Sequence, residues 1–123
     1  MNWKKQLGQI GEKKAVFFLK EKGFEILETN WRFQHKELDI IAMDGKILVF
    51  IEVKTRTNNN FGEPKEAVDM KKETFMASAG AAYMREIGHE WEIRFDVISI
   101  IYKNEQNFDL TYLEDAFFPQ WKF

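Results

Sequence analysis

No cysteine occurs among the 123 residues, which excludes a disulfide framework and any thiolate metal site. The same absence fits a reducing compartment. Proline is limited to two residues and glycine to seven. No Pro/Gly/Ser-rich linker, repeat or low-complexity tract divides the chain, so one domain over residues 1–123 is expected. No apolar run approaches the roughly 18 residues of a membrane span. The opening MNWKKQLGQIGEKK also lacks the apolar segment of a signal peptide. The expectation is a cytoplasmic protein with no membrane association. The two histidines, His35 and His89, are too few and too separated for a zinc site.

Nor does one sign of charge dominate. The net charge of −2 argues against generic adhesion to nucleic acid. The distribution is uneven, however. Through Lys36 there are eight Lys/Arg against four Glu, and beyond it ten against sixteen acids. A basic face on an acidic protein is therefore compatible with the composition. With 45% hydrophobic and 31% charged residues, the chain has the makeup of a globular protein able to bury a core without staples.

Apolar spacing predicts a helix from about Trp3 to Lys22, with Leu7, Ile10, Phe17, Phe18 and Leu19 on its inner side and Gly23 as its stop. Phe24–Phe33 reads as a strand. A hairpin follows, its turn marked by Asp44-Gly45, and Thr57–Gly62 reads as a loop. Pro64 suits the first turn of a helix running to about Ile87. Strands at Trp91–Tyr102 and Phe108–Leu113 complete a mixed α/β order.

The hairpin carries an unusual juxtaposition. Ile47-Leu48-Val49-Phe50-Ile51 suits a strand buried on both faces, yet it runs directly into Glu52-Val53-Lys54, and its partner begins Glu37-Leu38-Asp39. Alternation puts Glu52 and Lys54 on one face, Glu37 and Asp39 likewise share a face, and either hairpin register brings the two pairs onto the same face. A turn at Asp44-Gly45 sets Glu37 opposite Glu52 with Asp39 diagonal to it. A turn at Gly45-Lys46 sets Asp39 directly opposite Glu52. Both bring Asp39 and Glu52 within about 5–8 Å at Cβ, barring a bulge. Carboxylates that close repel, and burial adds a desolvation cost. A Mg²⁺ ion would offset both, since it is hard, prefers oxygen and keeps waters for a phosphate substrate. Lys54 then serves as a compact charge for a metal-bound water or a phosphate oxygen. The plain alternative, for any one of these residues, is a cross-strand ion pair at a solvated strand end.

Glu12 adds to the pattern. Its neighbours on the helix face are Gly8, Ala15, Val16 and Leu19, so it lies on or beside the inward stripe, where an acid is unexpected. Gly8 and Gly11 each weaken a helix by roughly 1 kcal/mol relative to alanine, tolerable where another backbone approaches closely. Arg56 shares a face with Lys54 and offers a phosphate contact or a surface ion pair. Lys71 and Lys72 cannot face the same way. Asp96, within an apolar strand, is expected to anchor a structural hydrogen bond.

Glu12 in GQIGEKKA, Asp39 in ELDII, and Glu52 with Lys54 in VFIEVKTRT resemble the core of the PD-(D/E)XK nuclease superfamily. Within it the chain is similar to the small bacterial YraN-like family, grouped with archaeal Holliday-junction resolvases. The likeness extends through Asn30-Trp31-Arg32, Phe61-Gly62-Glu63-Pro64, Lys72, Ala79, Tyr83 and Arg94-Phe95-Asp96-Val97. Leu38 replaces the namesake proline, and Lys36 stands where the YraN-like pattern more often has glycine. The resemblance implies a restriction-endonuclease-like α/β fold, a central mixed β-sheet flanked by helices. It implies Glu12, Asp39 and Glu52 around Mg²⁺ (or Mn²⁺ as a substitute), Lys54 as the catalytic lysine, and Arg32, Arg56 and Lys72 as nucleic-acid contacts. The implied activity is an endonuclease on structured or branched DNA, with DNA versus RNA left open. By analogy with resolvase-like relatives, a homodimer is one expected arrangement. Two other classes remain: a binding module of this fold with little turnover, and a structural or partner-binding domain.

Overall fold

In a computed structural model, which describes residues 2–58 and 63–118, one five-stranded sheet has the order β1-β2-β3-β4-β5. Its strands are β1 (Glu25–Phe33), β2 (Lys36–Asp44), β3 (Ile47–Arg56), β4 (Ile93–Asn104) and β5 (Asn107–Leu113). The first three form an antiparallel meander, β3 and β4 are parallel, and β5 returns antiparallel. The parallel step needs a crossover, and helix α2 (Met70–Ile87) lies within it. Helix α1 (Trp3–Glu21) precedes the sheet. The mixed α/β sheet expected from the sequence is present, in a layout consistent with restriction-endonuclease-like architecture.

Helix α1 starts where the Asn2 side chain accepts the N–H groups of Lys4 and Lys5. It stops at Lys22 and Gly23, whose φ of 92° is left-handed. Leu7, Gly11, Ala15 and Leu19, one every four residues, form its buried stripe. Gly11 allows the close approach: a Cβ there would fall 1.7 Å from Thr55 Oγ1. The contact is with a side chain on β3 rather than with a backbone. Gly8, by contrast, has nothing within 4 Å of an added Cβ. Phe17 departs from its expected place inside. It is 66% exposed and borders an apolar groove with Phe108 and Leu110, because the buried stripe is centred elsewhere on the helix.

Strand β3 is buried on both faces, as its apolar run predicts. Val49 and Ile51 pack with Ala15 and Leu19 of α1, while Leu48 and Phe50 pack with Met76, Ala79 and Tyr83 of α2. Each such side chain contributes roughly 1.5–3 kcal/mol on burial. Gly80 lets the Phe50 ring come close, 3.1 Å from where its Cβ would lie.

The helix expected from Pro64 to Ile87 is divided. Pro64–Ala67 forms a single 3₁₀ turn, Val68 is extended, and α2 begins after Asp69. The Asp69 carboxylate accepts the Lys72 N–H at 2.8 Å. An aspartate so placed caps a new helix instead of continuing the old one. Strand β4 starts two residues later than expected, at Ile93. Residues 59–62 of the expected loop lie outside the described residues.

Candidate active site

The β2–β3 ladder pairs Asp44 with Ile47 through to Ile40 with Ile51. The turn is therefore Gly45-Lys46, with Gly45 at φ 62°, and the register sets Asp39 opposite Glu52. Pairing ends one step before that position. There the Asp39 side chain, through Oδ2, accepts the Val53 N–H at 2.8 Å. The strands fork at the point where the acids stand.

Beside the fork, simple alternation fails on two strands. Leu38 packs in the core under α2, whereas Ile40, two residues on, packs under α1. On β1, Glu28 accepts from Tyr83 of α2, whereas Asn30 donates to Glu12 of α1. Residues two apart in a regular strand share a face, so both strands turn over at this level. Asn30 provides the turn on β1 with φ of 53°, a left-handed conformation that asparagine tolerates better than most residues. Register places Asn30 opposite Asp39, between the pairs Thr29–Ile40 and Trp31–Leu38.

The outcome differs from a single face of acids. Asp39 lines a cleft of about 880 Å³ under α1, shared with Glu12, Glu37, Asn30, Lys5 and Lys13. Glu52, only 7% exposed at its side chain, instead bonds Lys72 Nζ of α2 at 2.9 Å. The two acids meet across the fork, within hydrogen-bonding reach of one another. Among the described residues, no three or more His, Cys, Asp or Glu side chains converge as a ready metal cage. The arrangement is a line, with Asn30 on Glu12 at one end, Asp39 in the middle, and Lys72 on Glu52 at the other.

Electrostatics follow this line. Burial, then the charge of Asp39 and a hydrogen bond with it, pushes the Glu52 carboxyl up to about 8, against the opposing pull of Lys72. Burial also raises Glu12; Asn30 works against that, and Asp39 and Glu37 add to it. For Lys72, burial disfavours the charge, but Glu52 and Asp39 outweigh it and the ammonium is held more firmly than usual. Chemically, the fork offers hard carboxylate oxygens whose negative charge the protein only partly compensates.

The remaining expected residues fall in different places. Lys54 is exposed and makes no ion pair among the described residues. Arg56 is buried at the end of β3, with 9% exposure. Arg32 is exposed on β1. Trp31 packs against Tyr83, with ring centroids 5.1 Å apart, and stacks on Phe33. Two roles escaped the sequence reading. Asn30 was visible only as part of a motif, although an asparagine within a strand pattern is itself a signal for a left-handed kink. Lys72 was expected to contact nucleic acid; its pairing with Glu52 was not foreseen.

Asp96 anchors structure, as anticipated. It is fully buried, accepting from Arg94 Nε at 2.9 Å and Nη2 at 3.0 Å, from the Asp115 N–H at 2.8 Å, and from the Tyr112 hydroxyl. Arg94 also reaches Asp44 and Glu114.

Fold and site together define an α/β protein of restriction-endonuclease-like layout whose sheet forks where the half-buried Asp39 meets the buried Glu52. The chain belongs to the Uncharacterised protein family UPF0102, whose model matches residues 11–100; this is the YraN-like family indicated by the motifs. It is 45% identical over 112 residues to a UPF0102 protein of Flavobacterium psychrophilum, covering 91% of this chain and 93% of the relative. A UPF0102 protein of Bacteroides thetaiotaomicron is 43% identical over 114 residues, covering 93% of each chain. One of Dictyoglomus thermophilum is 44% identical over 115 residues, covering 92% of this chain and 98% of the relative.

Proposed function

We propose that this protein is a divalent-cation-dependent nuclease of the PD-(D/E)XK type that hydrolyses phosphodiester bonds in structured DNA, with RNA as the second substrate to test. One observation carries the reading: Glu52 is buried beside Asp39 at an open strand fork, where burial and like charge disfavour its ionised form. A fold gains nothing from such a pair unless a cation arrives. Mg²⁺ typically takes one or two carboxylates and fills its other positions with water and phosphate oxygens. The donor set at the fork fits that habit. Asp39 and Glu52 would hold the ion, with Glu12 of α1 lining the cleft on the Asp39 side. When bound, it would supply positive charge to a phosphate oxygen and lower the pKa of a coordinated water.

The chain's own groups account for the rest. Lys5, Gln9 and Lys13 line the cleft with Asn30 and Thr29, giving a polyanion donors and positive charge although the whole chain is acidic. Neither lysine makes an ion pair among the described residues. Lys54, with its exposed head, is assigned to the phosphate or attacking water. Asn30 holds the Glu12 carboxylate. The test is a cleavage panel of single-stranded, duplex, flapped and four-way DNA, with matched RNA, in Mg²⁺ and Mn²⁺. Cutting of at least one substrate, lost with EDTA and with Asp39→Asn, is expected. Tight binding of a branched substrate without cutting by the parent would instead assign the fold to a binding module.

A further inference from the structure

Lys72 was expected to touch substrate, yet its ammonium lies 2.9 Å from Glu52 Oε2, with 37% exposure against 7% for the carboxylate. The acid is fixed in a buried strand between packed helices. The lysine has a long flexible stem that begins at the solvent-facing start of α2. Two local features aim it. Asp69 caps the helix by accepting the Lys72 N–H, fixing that residue in the first turn. Val68 is extended, so α2 starts afresh at this point rather than continuing from Pro64.

Resting on the nuclease reading, we propose that Lys72 is a tethered stand-in for the divalent cation: it occupies Glu52 Oε2 while the site is empty and is displaced when the cation binds, freeing its ammonium for the substrate phosphate. Here the ammonium pairs with Glu52 alone, and its single positive charge matches at most one of the two carboxylates. A divalent ion can engage both oxygens sets, so exchange favours the ion at sufficient concentration. Tyr83, about three turns further along the same helix, shows the contrast: its hydroxyl donates to Glu28 and the ring is packed among aromatics, so it has no freedom to leave. Lys72 has that freedom.

The stand-in has a measurable consequence. Any cation entering must displace Lys72, so the lysine weakens metal affinity although it stabilises the empty site. Lys71, adjacent, exposed and without an ion pair among the described residues, carries the same charge without touching Glu52. Calorimetric titration of Ca²⁺, which supports binding without cleavage, into the intact parent, Lys72→Met and Lys71→Met separates direct competition from general charge. Lys72→Met is expected to tighten Ca²⁺ binding by roughly tenfold or more, and Lys71→Met by less than about threefold. Reductive methylation of lysines, read by mass spectrometry, should show Lys72 labelling faster in Ca²⁺ than in EDTA. Equal affinity of parent and Lys72→Met, or weaker binding by Lys72→Met, overturns the stand-in role while leaving the nuclease reading intact. Absence of Ca²⁺, Mg²⁺ and Mn²⁺ binding by the parent and both variants overturns that reading and the inference with it.

Discussion

Two buried carboxylates stand on the neighbouring central strands, one step apart in register, and the protein treats them differently. Asp96 is surrounded by donors: both oxygens are engaged by Arg94, a backbone N–H and a tyrosine hydroxyl. Glu52 has another acid beside it and one flexible lysine. A carboxylate needed by the fold is given rigid, complementary partners, since a planar guanidinium loses little freedom in a bidentate pair. On the proposed reading Glu52 is kept for a cation: it is left under-compensated, and the cation would relieve the resulting strain. Burial alone does not separate structure from function here. The partners do.

The comparison breaks most visibly at Asp96. Asp96→Ala leaves the Arg94 guanidinium without its rigid buried partner, and the protein should lose about 3 kcal/mol or more in urea unfolding. Its response to divalent cations should be unchanged. Glu52→Gln should do the reverse. Glu52 holds its proton up to about 8 in the folded chain against 4.5 ordinarily. Between those values the folded chain binds a proton that the unfolded chain has released, so stability falls as pH rises through the window. The raised Glu12 adds in the same direction, and Lys72 remains charged throughout. Glu52→Gln should therefore flatten most of the decline and be more stable than the parent at pH 8 by about 1 kcal/mol. Melting curves of both proteins in EDTA from pH 5 to 8 provide the check.

Smaller effects sharpen the contrast between the cleft and the rest of α1. Lys5→Gln and Lys13→Gln should each reduce the slope of log affinity against log salt for DNA by about one, as loss of one phosphate contact requires. Lys20→Gln, on the same helix away from the cleft, should leave the slope alone. The smallest expected change is at Gly8, where an added methyl meets nothing. Gly8→Ala should stabilise the helix by roughly 0.5–1 kcal/mol. Gly11→Ala, driven against Thr55, should cost about 1–3 kcal/mol.

Much of the scaffold was legible because periodicity reports burial. The apolar run of β3 announced a strand covered twice, and Gly23 announced the end of α1. The division before α2 was harder to read, since Pro64 opens a helix by the usual rules and only the competing cap of Asp69 shows that a second one begins. Phe17 misled because hydrophobicity does not fix a helix's rotation; the tight seat of Gly11 on Thr55 does. At the candidate site, the closeness of Asp39 and Glu52 was legible from spacing, with the observed register among the two considered. Their mutual orientation was not. It depends on Asn30 in a left-handed conformation and on β2 turning over at Asp39, where the two-residue period fails. The Glu52–Lys72 pair joins residues twenty positions apart through tertiary packing, which no local pattern encodes.

On the proposed reading, the fork is held in a frustrated state that a divalent cation relieves. Its most direct test is the pH dependence of unfolding free energy for the parent, measured from pH 5 to 8 in EDTA and again in millimolar Mg²⁺. Stability should fall with pH in EDTA, and Mg²⁺ should oppose that fall increasingly toward pH 8, because the ion binds the deprotonated acids. Superimposable profiles in EDTA and Mg²⁺ would contradict the claim and place Glu52, like Asp96, among the carboxylates that serve only the fold.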